Sequence, residues 1–212
     1  MAVGVFITLE GGEGAGKTTQ QALLAERLLK AGYACLCTRE PGGTALGQGL
    51  RALLLHGDPI SPLAELLLYA ADRAEHVQTR IRPALAAGQV VICDRFTDST
   101  LAYQGYGRGL DLDVIRQLNQ LATDGLRPDL TLWLDLPPEL GLARARSRQT
   151  QQAQTPDRME QAQWAFHQRL HQGFQTLAAS EPERIRRIDA QGSPQAVAER
   201  IWQAVSAHLP QT

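Results

Sequence analysis

Gly11-Gly12-Glu13-Gly14-Ala15-Gly16-Lys17-Thr18 is the stretch of sequence that decides the fold. It fits the pattern G-x-x-x-x-G-K-[ST], the P-loop, in which successive backbone N–H groups surround a polyphosphate. In this pattern Lys17 reaches the outer phosphates and the hydroxyl of Thr18 ligates Mg²⁺. The alternative is a glycine-rich turn that carries a lysine by chance. The motif predicts that the chain binds a nucleoside triphosphate.

The residues on either side of this loop have the order that phosphate binding requires. Val3–Glu10 is an apolar run that predicts a buried strand, and Thr19–Lys30 has leucines at helical spacing. A helix that begins at the loop directs its first N–H groups at a bound anion. The flanking elements therefore favour a phosphate-binding loop over a chance turn.

Four further apolar runs predict strands, and helical patterns separate them. These runs are Ala34–Thr38, Gln89–Cys93, Leu130–Leu136 and Arg184–Ile188. Short strands that alternate with helices indicate a parallel sheet covered on both faces. We therefore predict an α/β, three-layer P-loop NTPase fold with a five-stranded parallel sheet flanked by helices. No linker divides the chain, so residues 1–212 are expected to form one domain.

Several helix boundaries and one loop can be predicted from single residues. Ser61 is expected to cap a helix from Pro62 to Ala86, which Pro83 should bend or interrupt. Gln149–Pro156 is polar and of low complexity, which predicts a mobile loop. Asp157–Leu177 is predicted to be the helix that follows this loop.

The composition argues against several classes of partner and location. With a net charge of -1, the chain has no general attraction for nucleic acid or for an anionic membrane. We see neither an apolar run that could span a membrane nor the basic start of a signal peptide. Cys35, Cys37 and Cys93 all lie in apolar runs, which predicts reduced core thiols in a cytoplasmic protein.

A P-loop alone does not distinguish a kinase from a GTPase or a motor. A GTPase also needs an N-K-x-D motif, and the only asparagine, Asn119, is not followed by lysine. Asp94 follows an apolar strand, as a Walker B acid does, and is a candidate to hold Mg²⁺ directly or through water. The alternative for Asp94 is a salt bridge at the strand end. Arg95 would face the phosphate of an acceptor.

Five motifs together resemble those of the bacterial thymidylate kinase family, in the family's order and from about Val5 to the final helix. They are Glu10–Thr19 (EGGEGAGKTT), Thr38–Gly43 (TREPGG), Asp94–Ser99 (DRFTDS), Ala102–Gly105 (AYQG) and Arg127–Thr131 (RPDLT). The resemblance implies transfer of the γ-phosphate of Mg·ATP to dTMP, giving dTDP and ADP, a step towards dTTP. It also implies a homodimer, with the apolar face around Leu63–Leu68 as a candidate interface.

The resemblance assigns the P-loop and its neighbours to the donor nucleotide. The implied ATP-binding residues are Gly11, Gly12, Glu13, Gly14, Ala15, Gly16, Lys17, Thr18, Thr19 and Arg144. Arg144 is a candidate to lie against adenine. Mg²⁺ is expected to bind Thr18 and Asp94, with ATP as the phosphoryl donor.

A second set of residues is implied to bind the acceptor. The dTMP-binding residues are Glu13, Arg39, Glu40, Arg51, Tyr69, Arg73, Arg95, Ser99, Thr100, Tyr103 and Gln104. Tyr69 is implied to stack on thymine, although the family more usually has Phe there and helical periodicity alone favours packing in the core. Arg73 is implied to donate to a thymine carbonyl. Tyr103 is implied to lie against the sugar and to disfavour a ribose.

Glu13 is a carboxylate inside a phosphate-binding loop, so it must point elsewhere or pair with a cation. In similar enzymes an acid here contacts the 3′-hydroxyl of the acceptor. No arginine lies between Glu10 and Lys17, so a mobile lid at about residues 146–158 is expected to supply the catalytic cation. The lid candidates are Arg144, Arg146, Arg148 and Arg158. Arg148 and Arg158 border the polar loop and join Lys17 and Arg95 as the implied catalytic residues.

Two other functions stay open from the sequence. A kinase for another nucleotide or nucleoside, such as dUMP, would require the pocket of Tyr69, Arg73 and Thr100 to bind a different base edge. A non-catalytic ATP-binding switch would respond to ATP through a partner protein. The intact Lys17 and Asp94, together with an acceptor pocket, argue against the switch.

Overall fold

A parallel sheet forms the centre of the structure. The computed structural model describes residues 4–152, 157–160 and 162–209. The strands, in chain order, are β1 (Val5–Glu10), β2 (Cys35–Arg39), β3 (Val90–Asp94), β4 (Leu130–Asp135) and β5 (Ile185–Asp189). Their order in the sheet is β2-β3-β1-β4-β5, and every neighbouring pair is parallel. The predicted five-stranded parallel sheet is confirmed, with the P-loop strand at its centre.

Helices cover both faces of this sheet. They are α1 (Lys17–Lys30), α2 (Ala45–His56), α3 (Pro62–His76), α4 (Arg82–Ala86), α5 (Thr97–Thr100), α6 (Leu112–Thr123), α7 (Pro138–Gln152), α8 (Trp164–Ser180) and α9 (Pro194–Ser206). Leu132 of β4 packs in one core cluster with Leu28 of α1 and Ile201 of α9. The next residue, Trp133, points to the opposite face and stacks on Phe174 of α8. None of the helices in the described part of the chain is long and apolar enough to cross a membrane.

The cysteines are less buried than the sequence predicts. Cys93, on the inner strand β3, is buried, but Cys35 is half-buried and Cys37 is exposed. Both of these residues lie on β2, which is at the edge of the sheet and is only partly covered. The prediction of three core thiols is therefore wrong for Cys37, because an apolar run does not reveal whether its strand is central or at an edge.

The helix predicted over Pro62–Ala86 is present, and its hydrogen-bond pattern changes before Pro83. The hydroxyl of Ser61 accepts a hydrogen bond from the N–H of Ala64, as a capping serine does. α3 ends at His76, and Val77–Ile81 is π-helical before α4 begins. A proline lacks the N–H and crowds the carbonyl four residues earlier, so a wider turn before Pro83 accommodates it.

Two predictions after β4 are wrong in extent. Gln149–Gln152 was expected in a mobile loop and belongs to α7, whereas residues 153–156 of that loop lie outside the described residues. α8 begins at Trp164 and not at Asp157. The carboxylate of Asp157 accepts hydrogen bonds from the N–H groups of the second and third residues after it, both at 2.9 Å. This local turn competes with a helix at the same residues.

The P-loop lies directly against the first turn of α7. A Cβ atom on Gly14, which has a φ of 66°, would lie 2.0 Å from the carbonyl oxygen of Gly141. A Cβ atom on Gly141 would lie 2.3 Å from the carbonyl oxygen of Glu13. Glycine at both positions therefore allows a backbone approach that fixes α7 beside the loop.

A buried ion pair joins the segment after β3 to the strands β4 and β5. Asp98, which is 1% exposed, accepts two hydrogen bonds from the guanidinium of Arg184, at 2.6 and 2.8 Å. Arg184 also donates to the hydroxyl of Thr131, which is hydrogen-bonded to Thr8 of β1. These contacts fix the position of α5, the helix that carries Ser99 and its neighbour.

We expect Asp98→Asn to lower the free energy of unfolding by about 3 kcal/mol, because the charge of Arg184 would lose its buried partner. The control Asp113→Asn removes the exposed ion pair with Arg116 and should cost less than about 1 kcal/mol. Urea unfolding followed by circular dichroism measures both values. A similar small loss in the two variants would contradict a structural role for the Asp98–Arg184 pair.

Candidate functional site

The P-loop follows β1 and surrounds the ammonium group of Lys17. The Nζ atom of Lys17 donates to the carbonyl oxygens of Gly11 at 3.0 Å and Gly12 at 2.9 Å. Gly11, Gly14 and Gly16 have φ values of 138°, 66° and 91°, which side-chain-bearing residues rarely adopt. The loop thus holds a cation next to its own backbone N–H groups, an arrangement suited to phosphate.

Thr18 and Asp94 form a pair that fits a divalent cation. The Thr18 hydroxyl donates to Oδ2 of Asp94 at 3.1 Å. The Oδ1 atom of Asp94 is buried and has no hydrogen-bond partner, and Asp94 forms no ion pair with the described residues. Within that part of the chain, no group of three or more His, Cys, Asp or Glu residues could hold a metal alone. One carboxylate and one hydroxyl suit Mg²⁺ that arrives with a polyphosphate.

The carboxylate of Glu13 pairs with a cation, as expected of an anion in this loop. Its Oε1 atom accepts hydrogen bonds from Nη2 of Arg95 and from the hydroxyl of Tyr103, both at 2.7 Å. Burial alone would raise the pKa of Glu13, but the charges of Arg95 and Lys17 and the bond from Tyr103 together lower the pKa to about 2. Glu13 is therefore ionised at any physiological pH.

Arg95 connects the P-loop with the residues after β3. Its φ of 71° lies in the left-handed region, which is uncommon for any residue other than glycine. Its backbone N–H donates to the carbonyl oxygen of Leu9, and its Nη1 atom donates to that of Gly11 at 3.2 Å. The guanidinium lies 4.7 Å from the ring centre of Tyr103. These contacts hold the Arg95 side chain beside the loop.

Of the five arginines that line a cavity beside the P-loop, three form a cluster with unfavourable charge interactions. They are Arg39, Arg51 and Arg95. Burial lowers the pKa of Arg51, and the charges of Arg39 and Arg95 lower it further. The Arg51 side chain is held by a hydrogen bond from Nη1 to the carbonyl oxygen of Pro41 at 3.0 Å. Because a bound anion would relieve this repulsion, the cluster is suited to a phosphate group.

Arg73 lies at the buried end of the cavity and is 2% exposed. Its Nε atom donates to Glu40 at 2.8 Å, and its Nη1 atom donates to Asn119 at 2.6 Å. Its Nη2 atom donates to the hydroxyl of Thr100 at 2.9 Å and to the carbonyl oxygen of Phe96 at 3.1 Å. Four protein partners thus fix the orientation of this guanidinium.

A cavity of about 620 Å³ brings most of the predicted site residues together. From the predicted ATP-binding set it is lined by Glu13, Gly14, Ala15, Gly16, Lys17, Thr18 and Thr19. From the predicted acceptor set it is lined by Arg39, Glu40, Arg51, Tyr69, Arg73, Arg95, Ser99, Thr100, Tyr103 and Gln104, together with Asp94 and Arg148. The lining does not include Gly11, Gly12, Arg144 and Arg158. The residues predicted to bind donor and acceptor therefore line one cavity.

The two first candidates for the lid cation have different surroundings. Arg148 lines the cavity, is 51% exposed at its side chain and pairs with Glu160 at 3.1 Å. Arg158 instead donates to the buried carboxylate of Glu65 at 3.0 Å and to the carbonyl oxygen of Leu54 at 3.2 Å. The structure brings Arg148 to the cavity and holds Arg158 against α2 and α3.

Arg144 and Arg146, the other two candidates, are exposed on α7. Arg144 donates to the carbonyl oxygen of Ala190, in the loop after β5, at 3.3 Å. This contact holds Arg144 beside the end of β5 and away from the arginine cluster. Among the described residues, no hydrogen bond or ion pair joins the side chain of Arg146 to the P-loop.

Buried polar residues that the sequence analysis did not select support the selected ones. Glu10 accepts hydrogen bonds from the N–H of Phe96 at 2.8 Å and from the hydroxyl of Ser99 at 2.5 Å. It is the first residue of the family motif Glu10–Thr19 and precedes the P-loop pattern, which gives this position no role. Asn119 contacts Arg73 from α6, and no local sequence pattern indicates that contact.

Glu65 was also missed, although a signal for it existed. Glu65, Tyr69 and Arg73 are spaced four residues apart on α3, so they share one helix face. Glu65 and Arg73 are buried, and charged residues are rarely buried without a purpose or a partner. A buried polar stripe of this kind marks a face that is directed at a site.

The P-loop and the arginine cluster line one cavity. A phosphoryl-transfer enzyme needs such a second site for an acceptor, whereas a switch that only binds a nucleotide does not. The chain is therefore a P-loop kinase with a phosphorylated acceptor. Comparison with known sequences narrows this class, because the model of the family described as "Thymidylate kinase" matches residues 9–201. The chain belongs to the thymidylate kinase family.

Individual relatives agree with the family. The chain is 74% identical to the thymidylate kinase of Synechococcus sp. (strain JA-2-3B'a(2-13)) over 206 residues, which covers 97% of this chain and 96% of that protein. It is 58% identical over 206 residues to the thymidylate kinase of Gloeobacter violaceus, with the same coverage. The crystal structure of thymidylate kinase from Ehrlichia chaffeensis matches with a TM-score of 0.78 at 36% identity, covering 95% of this chain and 98% of that one.

The titration of Glu10 gives a pH dependence of stability. Burial, and next the charge of Asp98, raise the pKa of Glu10 from 4.5 to about 7. Because the folded state keeps a proton that the unfolded state has lost, this group makes stability fall as pH rises from about 4.5 to 7. Glu10→Gln should remove that fall. The free energy of unfolding of the variant, relative to the parent, should therefore increase with pH by up to about 1.4 kcal/mol per pH unit.

Urea unfolding at several pH values across this window measures the difference between the two proteins. The control is Glu183→Gln, a substitution of the same kind at a side chain that is 94% exposed. A difference between Glu10→Gln and the parent that does not change with pH would contradict the assignment.

Proposed function

We propose that the enzyme transfers the γ-phosphate of Mg·ATP to dTMP, giving dTDP and ADP. The observation that carries this proposal is the shared cavity, in which the P-loop faces the cluster of Arg39, Arg51 and Arg95. Two phosphate-binding groups of residues in one space hold donor and acceptor phosphates together, which converts a bimolecular step into a unimolecular one. The relatives from Synechococcus and Gloeobacter are thymidylate kinases, which supports thymidylate as the acceptor.

The donor nucleotide would bind along the P-loop and the start of α1. The backbone of Gly11–Thr19 would surround the phosphates, and Lys17 would neutralise their charge. Thr18 and Asp94 would hold Mg²⁺, which when bound withdraws charge from the transferring phosphoryl group. Arg144, held near the loop after β5, would lie beside adenine.

The acceptor would bind between the arginine cluster and the base pocket. Arg39, Arg51 and Arg95 would bind its phosphate, and Glu13 would accept a hydrogen bond from its 3′-hydroxyl. Tyr103 would lie beside the sugar. The remaining acceptor residues, which would surround the base or support those that do, are Glu40, Tyr69, Arg73, Ser99, Thr100 and Gln104.

The chemical step requires no general base from the protein. The attacking atom is an anionic phosphate oxygen of dTMP, so positioning and neutralisation of charge carry the reaction. Lys17 and Arg95 both line the cavity and would lie between the two proposed sites. Of the lid arginines, Arg148 is the better candidate to approach the γ-phosphate, because its half-exposed pair with Glu160 costs little to exchange. Arg158 would serve instead as an anchor through Glu65.

A coupled assay of ADP release tests this function. With Mg·ATP and a panel of nucleosides and monophosphates, dTMP should give the highest kcat/KM. Lys17→Ala should lower kcat by at least about 100-fold, because the outer phosphates lose their cation. Preference for dUMP or thymidine would show that the assignment of dTMP as the substrate is wrong. Binding of ATP without turnover on any acceptor would instead support the ATP-binding switch.

The proposed assembly is a homodimer formed through α2, α3 and α6. α3 packs against both of the other helices, and the layer exposes Leu53, Leu63, Leu67 and Leu121. Exposed apolar side chains on neighbouring helices are typical of a protein interface. The sequence analysis gave the apolar face around Leu63–Leu68 as the candidate interface, and the exposed leucines of the flanking helices support a larger surface there.

We expect Leu67→Glu to convert a dimer into a monomer, because a carboxylate would be buried at the centre of the interface. Size-exclusion chromatography with light scattering measures the mass. Leu29→Glu is the matched control, because Leu29 is equally apolar and exposed but lies on α1. A monomeric parent protein, or a dimer that survives Leu67→Glu, would rule out this interface.

The proposed location is the cytoplasm. All three cysteines are free thiols, and one of them, Cys37, is exposed. A free exposed thiol is typical of a reducing compartment, where disulfides are rare.

A further inference from the structure

Gln104 is a buried amide at the acceptor cavity, and one of its two polar groups is held by a carboxylate. The residue lines the cavity and is 2% exposed. Its Nε2 atom donates to Oε1 of Glu65, which is 1% exposed, at 2.8 Å. Among the described residues, no donor contacts the Oε1 atom of Gln104. The amide oxygen is therefore the group that remains for a ligand.

Glu65 is held in turn by two arginines. Arg158 donates to its Oε2 atom at 3.0 Å, and Arg108 donates to Oε2 and Oε1, both at 3.3 Å. A carboxylate paired with guanidinium groups can accept hydrogen bonds but has none to donate. Gln104 can therefore meet Glu65 only through its NH₂ group. This contact excludes the orientation in which the amide is turned over.

We infer that Glu65 is a positioning residue that sets which pyrimidine the enzyme accepts, by holding the Gln104 carbonyl towards the cavity. The inference rests on the proposed function, in which the base of dTMP lies at Gln104. Thymine and uracil carry an N3–H donor, whereas cytosine presents a lone pair at N3. A carbonyl oxygen that faces N3 accepts a hydrogen bond from thymine or uracil. With cytosine it would face the lone pair of N3, so neither atom would have a donor.

Arg73 favours thymine and uracil over cytosine in the same way, through the substituent at the neighbouring ring atom, C4. Its guanidinium lines the cavity, is joined to Thr100 and has only donors. A donor matches the 4-carbonyl of thymine or uracil and opposes the 4-amino group of cytosine. A fixed donor and a fixed acceptor in one cavity therefore match the pyrimidines that have a carbonyl at C4 and a proton at N3.

Glu65→Gln tests the inference, because the new side chain has the same size and can either donate or accept. Gln104 can then turn over and present its NH₂ group to the base. We expect kcat/KM for dTMP to fall and kcat/KM for dCMP to rise, so that their ratio decreases about 10-fold while the KM for ATP is unchanged. A general loss of packing would lower both values. Glu183→Gln is the exposed control of the same kind and should leave the ratio unchanged.

A second background separates positioning from structural damage. In Gln104→Leu the group that Glu65 positions is absent, so adding Glu65→Gln should not change the dTMP-to-dCMP ratio further. Glu65→Asp keeps a negative charge for the flexible side chains of Arg108 and Arg158 and, because it is one methylene shorter, lengthens the contact with Gln104. It serves as the test variant if Glu65→Gln does not fold, with a decrease in the same direction.

The outcomes separate this inference from the proposed function. A parent protein that prefers dTMP, with an unchanged ratio in either folded Glu65 variant, overturns the positioning role alone. Additive effects of Glu65→Gln and Gln104→Leu on the ratio also overturn it. A parent protein that turns over no thymine or uracil nucleotide overturns the proposed function and the inference together.

Discussion

The ion pair between Glu13 and Arg95 is the contact on which the rest of the site depends. An anion in a loop that binds phosphate would oppose its ligand, and the guanidinium at 2.7 Å offsets that charge. The same guanidinium reaches the carbonyl oxygen of Gly11 and lies over the ring of Tyr103. One arginine therefore fixes the P-loop relative to the proposed acceptor residues, and in-line transfer would require that geometry.

The strained backbone at Arg95 requires support from buried neighbours. A residue other than glycine at a φ of 71° is stable only where the surroundings determine its conformation. Leu9 accepts the N–H of Arg95, and Glu10 accepts the N–H of Phe96 and the hydroxyl of Ser99. All of these contacts come from the end of β1. The strand that leads into the P-loop thus also holds the first residues of the proposed acceptor pocket.

Sequence patterns predicted the parts of the fold that depend on neighbouring residues. The P-loop, the alternation of strands and helices along the chain and the cap at Ser61 follow from spacing within a few residues. The structure contains each of them. The contacts of Arg158 with Glu65, 93 positions earlier, and of Asn119 with Arg73 depend on packing that no local pattern encodes. The exposure of Cys37 was missed for the same reason, because the position of a strand in the sheet is a property of the whole chain.

The buried charged residues of α3 cost stability, and in exchange they fix the orientation of the Arg73 guanidinium. Arg73 and His76 are buried beside Glu40, and His76 is hydrogen-bonded to Glu40 at 2.9 Å and to Thr38 at 2.6 Å. A well-packed apolar face would be at least as stable, since burying charges costs several kcal/mol before their pairing repays it. An apolar face, however, could not hold a guanidinium at one fixed angle. Under the proposed function, the charges on α3 are better explained by a ligand that they would orient than by the stability of the fold.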